Sequence, residues 1–318
     1  MIMSDNSINE QGVRRTKDTL KQLQSLPLSA KIQMTKKRLN NWYDHYQGQV
    51  YLSFSGGKDS TVLKHIADDL FHGYDVPSVF CNTGLEYPEV KMFAMAQPNV
   101  TVIKPKIHFR QVLEKYGYPV ISKEQSMYIH DYRTTKSEKI KDYRWNGNGK
   151  GSYKISEKYK YLVNAPFKIS GMCCNVMKKN PFKAYEKETG RKAIIATMTD
   201  ESLLRLNAWI RHGCNAFDKT RPTSQPMSFW TEQDVLQYIY IYKLPIAKIY
   251  GDVIKVNDKY QLTGHKRTGC MFCMYGVHLE DSPNRFQMMK QEHRQLHDFC
   301  INKLKLGEVL DYIGVDYE

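Results

Sequence analysis

The sequence predicts an α/β fold built on a mostly parallel sheet with helices on both faces. Residues 49–54 alternate polar and apolar side chains, as a strand does, and residues 61–71 carry apolar residues at helical spacing. Strand and helix patterns then alternate along most of the chain. This order is expected when parallel strands are joined by helical crossovers.

The remaining elements follow in chain order. Residues 14–47 are predicted to form one or two helices ahead of the sheet. The sheet region contains, in order, strand 49–54, helix 60–71, strand 77–81, strand 99–104, helix 109–116, helix 181–189, strand 192–197 and helix 201–212. Thr231, three residues before Asp234, indicates a capped helix start, and that helix runs to about Lys243. A last helical region covers residues 284–306.

A glycine-rich turn joins the first predicted strand to its helix, because residues 53–60 are Ser-Phe-Ser-Gly-Gly-Lys-Asp-Ser. Gly56 and Gly57 allow left-handed backbone angles and a close approach to an anion, toward which the free N–H groups of the first helical turn point. Lys58 adds a positive charge. The turn is therefore predicted to hold a phosphate group.

This turn is not the P-loop of ordinary NTPases, which needs G-x-x-x-x-G-K-[ST]. The first glycine of that motif falls at Leu52, and Asp59 stands where the motif needs a Mg²⁺-binding hydroxyl. The run from Ser55 to Ser60 instead resembles the PP-loop of the ATP pyrophosphatase superfamily. The resemblance implies that the loop holds terminal phosphates of ATP or the phosphate of an adenylyl sulfonucleotide.

Composition narrows the class of protein. The 318 residues are 41% hydrophobic and carry a net charge of +14 at pH 7. No apolar run approaches the roughly 18 residues of a membrane helix, and the polar start lacks the apolar core of a signal peptide. We expect a cytoplasmic protein with no membrane partner, whose seven cysteines are ligands, catalytic groups or core residues rather than disulfides. The basic surplus suits an anionic partner, either a nucleotide or a nucleic acid.

Residues 122–168 interrupt the strand and helix pattern with a basic, tyrosine-rich insertion. Its cations are Lys123, Arg133, Lys136, Lys139, Lys141, Arg144, Lys150, Lys154, Lys158, Lys160 and Lys168, and its aromatic residues include Tyr128, Tyr132, Tyr143, Trp145, Tyr153, Tyr159 and Tyr161. Such a mixture can hold DNA or RNA by backbone attraction and base stacking. The alternative is a lid or β-hairpin around residues 146–149 whose tyrosines pack on the main domain.

These patterns divide the chain into three regions. Residues 1–48 are predicted to form a helical N-terminal extension. Residues 49–215 are predicted to form a PP-loop nucleotide-binding α/β domain that contains the insertion, and residues 216–318 a C-terminal helical region with a Cys-x-x-Cys motif.

Two cysteine pairs are the second group of candidate functional residues. They are adjacent Cys173 and Cys174, and the Cys-x-x-Cys pair Cys270 and Cys273. Four thiolates can hold a [4Fe-4S] cluster. A structural zinc site, in which a histidine joins the second pair, is the main alternative, and plain packing is the third. Cys81 and Cys214 stand alone in apolar surroundings, which predicts a core role.

Taken in order, these motifs resemble those of the phosphoadenosine phosphosulfate (PAPS) and adenosine phosphosulfate (APS) reductase family of PP-loop proteins. The resemblance spans residues 50–275 and rests on the PP-loop, Asn82-Thr83-Gly84-Leu85-Glu86-Tyr87-Pro88-Glu89, Cys173-Cys174 followed by Lys178 and Lys179, Asp200-Glu201-Ser202 with Arg205, Leu244-Pro245 and Gly269-Cys270-x-x-Cys273. It implies a Rossmann-like, adenine nucleotide alpha-hydrolase-like fold. It also implies a [4Fe-4S] cluster on the four cysteines, beside the sulfonucleotide.

The resemblance also implies roles for individual residues. The nucleotide-binding residues would be Ser55, Gly56, Gly57, Lys58, Asp59, Ser60, Asn82, Thr83, Gly84, Glu86, Lys178, Glu201 and Arg205. Lys58, Lys178 and Arg205 would offset charge that develops on the phosphate or sulfate. Lys58 and Arg205 are the expected catalytic cations.

The sequence departs from the family pattern at three places. Asn82 stands where the family usually has Asp, and Met198 stands where an arginine usually precedes the acidic run. The assimilatory reductases attack sulfur with a cysteine in a Glu-Cys-Gly-type ending, whereas this sequence ends Ile-Gly-Val-Asp-Tyr-Glu. Cys300 is then the nearby candidate nucleophile, with helical packing as its alternative role.

Three functions stay open at this point. The first is a reductase-like enzyme of sulfur metabolism that acts on APS or PAPS with a thioredoxin-like electron donor. The second is an ATP pyrophosphatase that adenylates a DNA or tRNA substrate for sulfur insertion, with Mg²⁺ expected if ATP is the substrate. The third is a nucleotide-sensing or cluster-bearing partner protein that has lost catalysis. The order of the motifs favours the first.

Overall fold

The computed structural model describes residues 14–149 and 152–318. Its helices are α1 (Lys17–Gln24), α2 (Leu28–His45), α3 (Lys58–Leu70), α4 (Pro88–Ala96), α5 (Phe109–Tyr116), α6 (Lys123–Thr134), α7 (Glu138–Asn146), α8 (Asn180–Thr189), α9 (Leu203–His212), α10 (Glu232–Tyr242), α11 (Arg285–Glu292), α12 (Arg294–Asp298) and α13 (Leu306–Tyr312). Its strands are β1 (Val50–Phe54), β2 (Ser78–Cys81), β3 (Val100–Ile103), β4 (Val120–Ile121), β5 (Lys192–Ile195), β6 (Asn215–Ala216), β7 (Thr223–Ser224), β8 (Val253–Val256), β9 (Lys259–Leu262) and β10 (Met274–Tyr275).

The described residues fall into two compact units. The sheet unit comprises the described residues up to Cys81, together with Pro88–Ile103 and Lys183–Thr268. The cysteine unit comprises Asn82–Tyr87, Lys104–Phe182 and Gly269–Glu318. The division into regions 1–48, 49–215 and 216–318 stays a prediction. Residues 1–13 of the predicted extension and Lys150 of the insertion lie outside the described residues.

Six strands form the main sheet of the sheet unit, in the spatial order β3-β2-β1-β5-β7-β6. Neighbouring strands are parallel except β6 and β7, which are antiparallel. In the middle of the sheet, Ser53 of β1 is paired with Ile195 of β5. Because these two strands are parallel, the segments that follow them begin at the same edge of the sheet. The predicted α/β fold with a mostly parallel sheet is confirmed.

Helices cover both faces of β1, since adjacent residues of a strand point to opposite faces. Leu52 belongs to a buried cluster with Leu63 of α3 and Trp42 of α2. On the other face, Tyr51 packs against Tyr185 of α8 with their ring centroids 5.1 Å apart. Burial of a leucine side chain such as Leu52 contributes roughly 1.5–3 kcal/mol to folding. The predicted helices on both faces are therefore confirmed.

The insertion is helical and belongs to the cysteine unit. It contains α6, α7 and a 3₁₀ helix at Glu157–Asn164, so the β-hairpin predicted around residues 146–149 is wrong. Gly147 ends α7 with a φ of 84° and donates its N–H to the carbonyl of Tyr143, 3.0 Å away. The Asn-Gly pair is thus a helix end, where glycine favours the left-handed angle, rather than a hairpin turn.

No helix among the described residues combines the length and the apolar character needed to cross a membrane.

Candidate functional site

Gly56 is the tightest point of the loop between β1 and α3. Its φ of 72° lies in the left-handed region. A Cβ added there would lie 2.8 Å from the carbonyl oxygen of Val90 and 2.9 Å from the Cβ of Ala94, both in α4. Glycine alone satisfies both the angle and the space. Gly56 thus adopts the left-handed angle that a glycine allows.

Gly57 is the N-cap of α3 and has an extended backbone, with φ −78° and ψ 157°. Gly57 therefore does not use the left-handed angle that a glycine allows. Glycine is favoured here by the lack of a side chain. An added Cβ would lie only 3.2 Å from both the Oγ of Ser55 and the Oη of Tyr250, which is a tight contact. The Oγ of Ser60 lies 2.9 Å from the Oγ of Ser55 and donates to the carbonyl of Gly57 at 2.9 Å. The two serines therefore fix the loop conformation.

Lys58 begins α3 and is only 4% exposed. Its Nζ lies 3.1 Å from Oδ1 of Asp59 and 3.5 Å from Oε1 of Glu232, at the start of α10. The side chains of Asp59 and Glu232 are 29% and 53% exposed. One buried cation and two accessible carboxylates therefore lie beside the loop. Glu232 was not among the residues predicted from the sequence.

Tyr250 is a second residue of the loop site that the sequence did not reveal. Its Oη accepts the backbone N–H of Lys58 at 3.4 Å and hydrogen-bonds the Oγ1 of Thr268 at 2.5 Å. Burial raises the pKa of Tyr250, against the smaller lowering effect of these hydrogen bonds, so the phenol stays neutral. No local pattern marks this residue, because it lies 192 positions along the chain from Lys58.

The acidic segment after β5 starts at the same edge of the sheet as the loop. Glu201 accepts the backbone N–H of Met198 at 2.9 Å. It also forms ion pairs with Arg205 and, at 3.6 Å, with Arg267. Met198 is 5% exposed within the apolar core. Arg205 therefore has a carboxylate partner, as Lys58 does.

A compact turn in the cysteine unit contains Asn82, Thr83, Gly84 and Glu86. Glu86 accepts the backbone N–H of Thr83 at 3.1 Å and its hydroxyl at 2.6 Å. The Oδ1 of Asn82 accepts the N–H of Gly84 at 3.2 Å. The carbonyl of Leu85 accepts the N–H of Met271 at 2.8 Å, which ties the turn to the Cys-x-x-Cys segment.

All four predicted cysteine ligands belong to the cysteine unit. Burial raises the pKa of the Cys173 thiol, and the nearby Cys174, Cys270 and Cys273 raise it further. The N–H of Cys273 donates to the carbonyl of Cys270 at 3.1 Å, which closes a tight turn. None of the seven cysteines, all of which are described, forms a disulfide. Within residues 14–149 and 152–318, no three His, Cys, Asp or Glu side chains are arranged as ligands of one metal ion.

Two cations accompany these thiols. Desolvation lowers the pKa of Lys178, but the charge and hydrogen bond of Cys270 and the charge of Glu86 outweigh it, so the pKa is raised. Arg285 donates from Nη1 to the carbonyl oxygen of Cys273 at 3.0 Å and pairs with Glu280. Lys178 is thus placed beside a thiol, and Arg285 is a neighbour that the sequence did not reveal.

Cys300, the candidate nucleophile, lies in the π-helical turn Phe299–Lys303 and is 0% exposed. Burial raises the pKa of its thiol to about 12. Because the thiolate is the reactive form, such a thiol is poorly suited to attack a substrate sulfur. Its surroundings match the alternative packing role.

Comparisons with known proteins identify a family. No curated protein matches the sequence. The fold is similar to that of PAPS reductase from Candida auris in a phosphate complex, with 13% identity, a TM-score of 0.38, and coverage of 74% of this chain and 91% of that one. It is also similar to the U34-tRNA thiolase NcsA from Methanococcus maripaludis with its [4Fe-4S] cluster, with 13% identity, a TM-score of 0.36, and coverage of 75% and 69%.

The match to a family model is the stronger finding. The model of the phosphoadenosine phosphosulfate reductase domain matches residues 49–275, well over half of the chain, and this range includes the PP-loop and all four clustered cysteines. The predicted membership is confirmed: the chain belongs to the phosphoadenosine phosphosulfate reductase domain family.

Proposed function

We propose that this protein binds ATP with its phosphates in the loop at residues 55–60 and uses it to adenylate a substrate. The loop geometry carries the proposal. Gly56 brings the backbone close to α4, Gly57 leaves space at the helix N-terminus, and Lys58 supplies a buried positive charge. A helix N-terminus reached through such a loop favours bound phosphate, because its N–H groups and dipole face the anion.

The charges beside the loop favour ATP over a preformed sulfonucleotide. Asp59 and Glu232 flank Lys58, and two carboxylates repel a bare anion. Mg²⁺ prefers one or two carboxylates together with substrate phosphates, so these two residues would hold it.

The chemistry follows from this arrangement. A substrate oxygen attacks the α-phosphorus of ATP, the bond to the bridging oxygen breaks, and pyrophosphate leaves. Lys58 and the loop N–H groups stabilise the negative charge of that leaving group. Sulfide then attacks the activated carbon or phosphorus of the substrate, a bond to sulfur forms, and the oxygen leaves with AMP.

Sulfonucleotide reduction is the second candidate, and membership in the reductase domain family favours it. It needs a thiolate that attacks the sulfur of APS or PAPS and a thioredoxin-like donor that releases sulfite. The burial of Cys300 argues against that residue as the nucleophile. We therefore place adenylation first.

We infer that Cys173, Cys174, Cys270 and Cys273 hold a [4Fe-4S] cluster, with zinc as the alternative. Four neighbouring thiols supply the donor set, and Lys178 and Arg285 offset the negative charge of thiolate ligands. A four-iron cluster binds one thiolate on each iron, so its ligands need not converge on a single point. When bound, such a cluster would supply electron transfer or an iron site for sulfur.

The test incubates anaerobically purified protein with ATP, APS or PAPS, with and without nucleic acid or thioredoxin. We expect AMP and pyrophosphate from ATP, and no sulfite. Lys58→Met should reduce pyrophosphate release at least about a hundredfold, since it removes charge stabilisation worth roughly 3 kcal/mol. Lys64→Met is the matched control, because Lys64 is a buried lysine of the same helix that pairs with Asp68 instead. Sulfite from APS or PAPS without pyrophosphate from ATP would overturn the proposal.

A further inference from the structure

The insertion at residues 122–168 concentrates the positive charge of the chain. It holds eleven Lys and Arg against five Asp and Glu. It therefore supplies six of the fourteen net positive charges from less than a sixth of the residues. Among its described residues, Lys136, Lys139 and Lys158 are exposed and have no carboxylate partner. The Nζ of Lys158 lies 4.8 Å from the ring centroid of Tyr159, a contact that leaves its charge without a counter-anion. No carboxylate therefore competes with an anionic partner for these three ammonium groups.

Two of these lysines lie one helical turn from an exposed tyrosine. Lys139 and Tyr143 are four residues apart in α7. Lys158 and Tyr161 are three residues apart in the 3₁₀ helix Glu157–Asn164. Each spacing places the cation and the ring on the same face of its helix. The same pairing of charge and ring thus occurs twice.

Each of these tyrosines also stacks on a second exposed tyrosine. Tyr143 and Tyr153 have ring centroids 6.0 Å apart and an interplanar angle of 19°. Tyr161 and Tyr312 have centroids 5.8 Å apart and an angle of 30°. The four rings are between 36% and 54% exposed, whereas Tyr128 of the same insertion is 4% exposed. Tyr128 is therefore buried, while the stacked pairs present surface to solvent.

We propose that this surface binds single-stranded nucleic acid. The insertion surface is defined by Lys136, Lys139, Tyr143, Tyr153, Lys158, Tyr161 and Tyr312. Unpaired bases stack on the tyrosine rings and the lysines contact the phosphates, which is the combination that single-strand binding uses. The binding stands independently of catalysis, but naming the strand as the substrate that is adenylated rests on the proposed function.

The tyrosines distinguish a single strand from other anionic partners. A duplex keeps its bases stacked on each other, so it would use the lysines but not the ring faces. An anionic membrane surface would likewise attract the lysines by charge. Loss of affinity on removal of a ring, with the salt dependence unchanged, is therefore the diagnostic result.

The experiment measures fluorescence anisotropy of short labelled single-stranded DNA and RNA over a range of salt concentrations. A matched duplex and vesicles containing phosphatidylserine serve as competitors. We expect single strands to bind more tightly than the duplex. Lys139→Gln should reduce the slope of log affinity against log salt by about 0.7. Tyr153→Ala should weaken binding about tenfold and leave that slope unchanged.

Matched controls come from the sheet unit. Lys259→Gln and Tyr240→Ala remove an exposed lysine and an exposed tyrosine outside the insertion, and they should change neither affinity nor slope. Circular dichroism verifies that each variant is folded. Absence of strand binding at low salt would overturn the proposal. Two other results would also overturn it: a folded Tyr153→Ala variant that binds the strand as tightly as the unaltered protein does, or a protein that prefers vesicles to strands.

The same samples separate this proposal from the proposed function. Strand binding without pyrophosphate release from ATP would refute adenylation and leave the insertion surface in place. Pyrophosphate release from ATP without strand binding would refute the insertion surface and leave the proposed adenylation in place.

Discussion

The hydroxyl of Tyr250 lies 3.4 Å from the backbone nitrogen of Lys58 and accepts its N–H. This N–H belongs to the first turn of α3, where the free donors of a helix favour an anion. A phosphate bound in the loop as proposed would therefore compete with the phenol for one donor. The competition gives Tyr250 a measurable effect on nucleotide affinity.

Tyr250→Phe should bind ATP several-fold more tightly, because phosphate no longer displaces a hydroxyl. The free energy of unfolding should fall by about 1 kcal/mol, since the hydrogen bond to Thr268 is lost together with that to Lys58. Isothermal titration calorimetry with ATP and urea denaturation measure the two effects. Weaker ATP binding by the folded variant would show that the hydroxyl itself contacts the nucleotide.

Gly56→Ala should destabilise the protein more than Gly73→Ala does, although both residues have left-handed angles. Gly56 has φ 72° and would place a Cβ 2.8 Å from the carbonyl oxygen of Val90, whereas Gly73 has φ 84° and no atom within 4 Å. In both variants the left-handed angle should lower the free energy of unfolding by about 1 kcal/mol. In Gly56→Ala the clash should lower it by roughly 1–3 kcal/mol more. Urea midpoints measure the difference, and equal midpoints would contradict this account of the loop.

The sequence could predict the loop but not its surroundings. A strand, two glycines and a helix are local patterns, so β1, α3 and the left-handed Gly56 were predictable. Tyr250 and Glu232 reach the loop from distant parts of the chain, and no pattern near residue 55 indicates them. Helix 109–116 was predictable for the same reason, since the spacing of its apolar residues is a local pattern. The structure confirms it as α5.

The insertion shows why a local pattern can mislead. Asn146-Gly147 is a common hairpin turn, but glycine with a left-handed angle also ends helices. Which of these forms depends on the preceding residues, and here Ser137 caps a helix that runs to Asn146. The cysteine pairs remain a prediction as joint ligands of one cluster, although all four belong to the cysteine unit. Arg285, which donates to the carbonyl oxygen of Cys273, could not be predicted because it lies outside both motifs.

Cys270→Ala should abolish the proposed cluster, whereas Cys214→Ala should not. Cys214 is a buried thiol of the sheet unit whose Sγ lies 3.0 Å from the Oγ of Ser228, so it controls for loss of a buried cysteine. Anaerobic purification should give a brown protein that absorbs at about 400 nm and contains bound iron. The absorption and the iron should both be lost in Cys270→Ala. Stoichiometric zinc in the unaltered protein would instead support the alternative metal site.

A histidine of the cysteine unit predicts how stability depends on pH. The Nε2 of His278 lies 2.8 Å from the Oη of Tyr159. Burial lowers the pKa of His278 below its ordinary value of 6.5, and the charge of Lys158 lowers it further. The unfolded chain therefore binds a proton more readily than the folded protein does. The free energy of unfolding should fall as the pH drops below about 6.5 and should level off once the folded protein is also protonated.

His278→Phe should remove this contribution, so its urea midpoint should fall less than that of the unaltered protein between about pH 7.5 and 5.5. Lys158→Gln provides an independent check, because it keeps the histidine and removes the charge that lowers its pKa. Its pH dependence should lie between those of His278→Phe and the unaltered protein. If His278→Phe lost stability with falling pH as steeply as the unaltered protein, another group would control the transition.

Lys158 also belongs to the insertion surface. A strand that contacts Lys158 should raise the pKa of His278, since its phosphate offsets the lysine charge.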